Sequence, residues 1–221
     1  PASYQGLWGL RTTHGIVPRQ GMLPLSQTFD TVGWLTRDAE TLERGAAWVL
    51  VTDSSADDPE ADLTPNSELP RRIVVPAEVL ACVEPATRDA FQSWLDRVAV
   101  TDQVEEVDIV EVGDLSDYLE VFRLVQAAEA WRNNGAWVQA HPGAVGPDIA
   151  ARLELASQVT AEQERSAQTE LGRMRQQIRA LTEDAIVMLP TAPGPAPART
   201  ADGAAIEATR SATLRMTCLA A

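Results

Sequence analysis

Along most of this sequence, short apolar runs of strand character are interleaved with stretches of helical period, and that order restricts the fold more than any other feature. Ile73-Val74-Val75-Pro76 reads as a short buried strand. Pro85 to Val100 follows with helical spacing, with Pro at its first turn and Phe91, Trp94, Leu95 and Val98 apolar. Val104 to Val112 sets Val104, Val107, Ile109, Val110 and Val112 against Glu105, Glu106, Asp108 and Glu111, which predicts a strand. Leu115 to Trp131 returns to helical spacing through Tyr118, Val121, Phe122, Val125 and Ala128, and Asn133-Asn134-Gly135 predicts its end. Asp148 is expected to cap a helix that reaches Asp184 with a break. Ala185 to Leu189 predicts another buried strand, Pro190 to Pro197 an extended loop, and Ala204 to Ala221 a last helix. The class is therefore α/β, with a mixed central sheet flanked by helices.

The first part of the chain is less regular. Residues 1–25 hold Gly6, Gly9, Gly15, Pro18, Gly21 and Pro24, which predicts short extended pieces joined by tight turns. Asp38 opens a helix to about Val51, with Leu42, Ala46, Ala47 and Leu50 on one face. Residues 52–70 are acidic and carry Pro59, Pro65 and Pro70, which predicts a solvated surface loop.

Charge excludes some functions. The net charge is −14, and 18 basic residues spread along the chain face 32 acidic ones. No basic stripe with interleaved aromatics is available to neutralise phosphates, so neither nucleic acid nor an anionic membrane surface is an expected partner. No apolar run approaches the ~18 residues that a membrane-spanning helix needs. Cys82 and Cys218 stand far apart, which is neither a disulfide framework nor a zinc pattern and points to a reducing, cytoplasmic setting.

Catalytic patterns are missing inside the chain. His14 and His141 lack an accompanying nucleophile elbow and read as structural. Asp57-Asp58 and Glu105-Glu106 lie in acidic segments and read as solvent-facing. No metal-ligand spacing and no phosphate-binding glycine loop is present, so no metal and no organic cofactor is expected. The tryptophans at 8, 34, 48, 94, 131 and 137 read as core. The sequence also contains no lysine; every cationic chain is Arg.

Four segments carry a resemblance. Pro1-Ala2-Ser3-Tyr4-Gln5-Gly6-Leu7-Trp8-Gly9-Leu10-Arg11-Thr12-Thr13-His14-Gly15 resembles the amidase-signature family just after its nucleophile. There the pattern G-G-S-[IV]-R-x-P-A precedes G-x-x-G-x-[KR]-P-[ST]-x-G, and this chain matches from the first proline onward. It departs at Thr12, where the family usually has Pro. Gly21 to Asp38, with Ser26-Gln27-Thr28-Phe29-Asp30-Thr31-Val32-Gly33-Trp34, is similar to the family's S-[FL]-D-x-x-G segment in indoleacetamide-hydrolase-like members. Gly135-Ala136-Trp137 with Gly146-Pro147 and Arg152, and Val187 to Pro195, resemble the same subgroup. Residues 52–120 carry little of it.

The resemblance implies a serine hydrolase of carboxylic amides whose nucleophile is activated by a second serine and a lysine. By the family pattern the nucleophile would stand four positions before Pro1, and the second serine and the lysine further upstream. The chain is then expected to be the C-terminal portion of a single amidase-signature domain, with no catalytic residue of its own. Its natural partner would be the missing N-terminal portion, and a small amide the substrate of the whole. Ser3 would be structural support beside the nucleophile. Ser26, Gln27, Thr28, Asp30, Thr31, Trp34 and Trp137 are the expected pocket residues, Asp30 either fixing its loop by accepting backbone N–H bonds or only capping a turn. Two alternatives stay open: a catalytically dead binding or assembly partner, and a complete enzyme using residues such as His14. A piece of a sheet is also expected to expose edges and apolar surface, and so to dimerise, aggregate or be marginally stable.

Overall fold

The computed structural model describes residues 2–54 and 70–220. The chain opens with a one-turn helix, Ser3–Gln5, that ends on Gly6 at φ 63°, a conformation that glycine adopts without strain. β1 (Trp8–Arg11) and β2 (Gly33–Thr36) pair antiparallel, with Leu10 opposite Trp34 and Arg11 opposite Gly33. Thr12, at the position of the family's proline, is buried and donates its hydroxyl to the Val32 carbonyl at 2.8 Å, so a side-chain bond ties the two segments together there. α1 (Ala39–Ser54) starts on Asp38, whose carboxylate accepts the Thr41 N–H at 2.7 Å. The acidic loop expected at 52–70 falls largely outside the described residues, and positions 52–54 are the end of α1.

The second sheet is wholly parallel and three-stranded. β3 (Arg72–Pro76) lies at its centre between β4 (Glu106–Val110) and β5 (Ala185–Val187). Both strand directions of the expected mixed sheet are present, but among the described residues they occupy two separate sheets. Ile73, Val74 and Val75 are 2%, 0% and 0% exposed, as a strand covered on both faces requires. Alternation divides them: Ile73 and Val75 pack with Leu95, Phe91 and Val98 of α3 (Pro85–Ala99). α2 (Ala77–Ala81) continues directly from β3 and contributes Val79 to the largest apolar cluster.

That cluster joins Val79 to α4 (Leu115–Ala140), α6 (Ala161–Thr182) and α7 (Gly203–Thr217) through Leu115, Tyr118, Val121, Met174 and Met216. α5 (Pro147–Ser157) starts on Gly146 with Pro147 in its first turn, so Asp148 lies inside the helix and does not cap it. The break expected between Asp148 and Asp184 falls before α6, where Thr160 forms a capping box with Gln163. Asp202 caps α7 by accepting the Ala205 N–H at 2.7 Å.

Two further expectations are corrected. Asn133-Asn134-Gly135 does not end α4, which runs on to Ala140. Asn133 and Asn134 turn their amides to the carbonyls of Leu25 and Pro24, and so bind a distant segment rather than stop their own helix. Gly135 is buried against the Trp131 indole, where an added Cβ would lie 2.7 Å from the ring. The tryptophans are not a uniform core either. Trp8, Trp48, Trp94 and Trp137 are exposed, while Trp34 and Trp131 are half-buried. Tryptophan is large enough to pack one face and leave the other in water.

Candidate functional site

α4 presents Val125, Glu129, Asn133 and Trp137 in one row, because residues four apart stack on the same side of a helix. The segment Pro24–Asp30 lies along this row. Phe29 is buried with Val125 and with Ala167 of α6, and its ring lies 4.8 Å from that of Phe122. Glu129 holds the next part of the segment. Its Oε2 accepts the Ser26 hydroxyl at 2.5 Å and the Thr28 N–H at 3.0 Å, and its Oε1 accepts the Thr28 hydroxyl at 2.6 Å. One turn on, Asn133 donates to the Leu25 carbonyl at 3.1 Å and exchanges bonds with the Gln27 side chain at 2.6 and 3.0 Å.

The segment also folds on itself. Asp30 Oδ2 accepts the N–H groups of Leu25 and Ser26 at 3.0 and 2.9 Å, so its carboxylate fixes the loop by accepting backbone bonds. The Ser26 carbonyl in turn accepts the N–H groups of Phe29 and Asp30. Arginines take the remaining carbonyls. Arg19 donates to Gln27 and Asp30, Arg175 of α6 to Thr28, and Arg11 to Phe29, at 2.7 to 3.3 Å. Arg175 also stands over the Phe29 ring, 5.6 Å from its centroid. A carbonyl that receives a guanidinium makes a stronger bond than a neutral donor gives.

Glu129 is 6% exposed. Burial by itself opposes its ionisation, but the bonds from the Ser26 and Thr28 hydroxyls and the Thr28 N–H, with the Arg132 charge, more than offset that. The carboxyl is thus held below its ordinary range. Arg132 itself pairs with Glu164 of α6 at 2.5 Å. Arg175 shows the opposite case: burial, then the charges of Arg179 and Arg11, lower its pKa.

The expected pocket residues separate into groups. Ser26 is fully buried with its hydroxyl directed to Glu129, Gln27 is exposed, and Thr28, Asp30 and Thr31 are half-buried along the same loop. Trp34 stands on β2 opposite Leu10. Trp137 is exposed and stacks on the His141 ring with centroids 4.6 Å apart, while His141 Nδ1 lies 2.8 Å from the Trp137 carbonyl at the end of α4. His14 Nε2 lies 2.7 Å from the Gln27 carbonyl, so it belongs to the support of the loop. Cys218 is half-buried, and desolvation pushes its thiol up to about 11; both cysteines are free. Among the described residues no helix is long and apolar enough to cross a membrane.

Glu129 was not anticipated from the sequence. A signal for it exists: the apolar row Tyr118, Val121 and Val125 reaches a carboxylate where the spacing asks for another apolar residue. Arg11, Arg19 and Arg175 carry no such signal, because their partners are backbone carbonyls.

The architecture is that of an amidase. A crystal structure of an amidase superposes with a TM-score of 0.78 over 98% of this chain and 50% of that one, at 21% identity. A Kluyveromyces lactis allophanate hydrolase superposes with a TM-score of 0.75 over 100% of this chain and 37% of that one, at 16% identity. At these identities the likeness is one of fold. Residues 1–219 match the Amidase family model, and the chain belongs to that family. Amidase 1 of Arabidopsis thaliana is 29% identical over 235 residues, which cover 96% of this chain and 54% of that protein. Amidase 1 of Oryza sativa is 28% identical over 216 residues, covering 89% and 49%. The chain spans about half the length of these curated relatives.

Proposed function

We propose that this chain is the C-terminal portion of a serine amidohydrolase that converts a small carboxylic amide and water to an acid and ammonia. The observation that carries the reading is the Amidase match along residues 1–219 in a chain with no lysine. The serine, the second serine and the lysine of the amidase resemblance would then come from an N-terminal portion, which is the partner proposed here. In that enzyme the serine oxygen forms a bond to the amide carbon, the C–N bond breaks as the nitrogen takes a proton, and water then releases the acid. This chain contributes scaffold and pocket wall. The surfaces assigned to the amide are Gln27, Thr28, Asp30 and Thr31, with Trp34 and Trp137 as apolar walls; Ser26 acts from behind the loop, since it has no exposed surface. The free thiols of Cys82 and Cys218 favour a reducing compartment, and the cytoplasm is the one proposed.

Ammonia release from acetamide, benzamide and indole-3-acetamide tests the reading. The 221-residue chain alone is expected to release none, and the polypeptide that joins it to a segment with a Gly-Gly-Ser motif and an upstream lysine is expected to be active. Hydrolysis by the isolated chain that is lost on His14→Ala would overturn it in favour of a self-contained enzyme.

A further inference from the structure

We propose that Glu129 is the positioning residue of the Ser26–Asp30 loop, and that through this carboxylate α4 sets the face that the loop offers to a bound amide; the inference rests on the amidase reading above. Glu129 occupies a place in a buried helix row where an apolar side chain would suffice for packing. A carboxylate removed from water costs free energy unless its oxygens are satisfied. Here the donors to its oxygens, the Ser26 hydroxyl and the hydroxyl and N–H of Thr28, all belong to one loop. The nearby cations are engaged elsewhere, Arg132 with Glu164 and Arg175 with the Thr28 carbonyl. The carboxylate and the loop therefore satisfy each other, and displacing either leaves buried polar groups without partners.

The arrangement has a direction. Ser26 has no exposed surface and cannot touch a substrate, so any effect of its hydroxyl on turnover must pass through the loop. Gln27 is exposed on the next position, and its side chain is set by Asn133, one turn beyond Glu129. Glu129 and Asn133 thus fix the inner and outer sides of the same turn from one rigid helix. A displacement of about 1 Å in such a support can lower turnover by roughly 100-fold without a new contact to substrate.

The test uses the full-length polypeptide that carries this chain, with the three amides above as substrates. Glu129→Gln keeps the shape but loses the charge assistance. It is expected to lower kcat by roughly 10- to 100-fold, the scale of losing a charge-assisted hydrogen bond, with KM changed by less than about 3-fold. Hydrogen exchange at the Thr28 amide is expected to accelerate by a similar factor. Ser26→Ala removes one donor at a site remote from substrate and is expected to move kcat and exchange in the same direction by less; it carries the test if Glu129→Gln does not fold. An active parent whose variants keep parental kcat overturns this inference alone, whether or not exchange accelerates. A parent inactive on all three amides overturns the amidase reading, and this inference with it.

Discussion

β3 and the Ser26–Asp30 loop are each five residues long, and they are held by opposite kinds of force. β3 has a strand on either side, and its side chains from Ile73 to Pro76 are almost completely buried. Its bonds are the repeating backbone ladder, and its burial is non-directional. The loop has no strand beside it. Its backbone groups are taken by Glu129, Asp30, Arg11, Arg19 and Arg175 and its Gln27 side chain by Asn133, which come from three different parts of the chain. Apolar burial tolerates shape-conserving exchanges, whereas a directional bond is either made or lost. The scaffold should therefore fail globally and the loop locally.

Val75→Asp is expected to have the largest effect. It places an unpaired charge at a position with 0% exposure and is expected to cost more than ~4 kcal/mol, so the urea transition should vanish or begin at zero denaturant. Asp30→Ala leaves the Leu25 and Ser26 N–H groups without their acceptor and is expected to cost ~1–3 kcal/mol. Its signature is faster exchange confined to residues 25–30, with β3 still protected; equal acceleration in both would erase the contrast. Gly135→Ala forces the Trp131 ring aside and is expected to cost ~1–3 kcal/mol with a changed tryptophan fluorescence.

Acid should separate the two regions as well. Glu129 has a folded pKa below its ordinary 4.5, so its contribution is complete above about that pH and is lost as pH falls through the lower folded value. Protection of the loop amides relative to intrinsic exchange is expected to fall below about pH 4.5 before that of β3, and Glu129→Gln should abolish that early step. The smallest effect is expected from Arg152→Ala, whose exposed contact with Glu207 is solvent-screened: the urea midpoint should not move measurably.

Much of the scaffold was legible. β3, α3 and α4 follow runs whose apolar period is also the period of the element, and β4 and β5 lie within the strands expected for them. The Asp38 cap rests on local chemistry that a few residues specify, whereas the break expected between Asp148 and Asp184 has no place in that reading and is set by the Thr160–Gln163 capping box. The end of α4 was misread because Asn133-Asn134-Gly135 has the composition of a stop, while its actual partners are Leu25, Pro24 and Trp131. In the candidate site, Asp30 was readable as an acceptor because its donors lie four and five residues away. Glu129 meets donors about a hundred positions distant, and no local pattern encodes that meeting.

The sequence by itself determined the α/β class, the order of most elements and the amidase resemblance, since periodicity, caps and motif spacing are properties of neighbouring residues. Only the tertiary structure decided that Glu129, Asn133 and three arginines close on the Ser26–Asp30 loop, and that Ser26 lies behind it rather than at its surface. A hydrogen bond to a buried carboxylate depends on where two distant segments are placed by the packing of everything between them, and that placement exists only once the chain has folded.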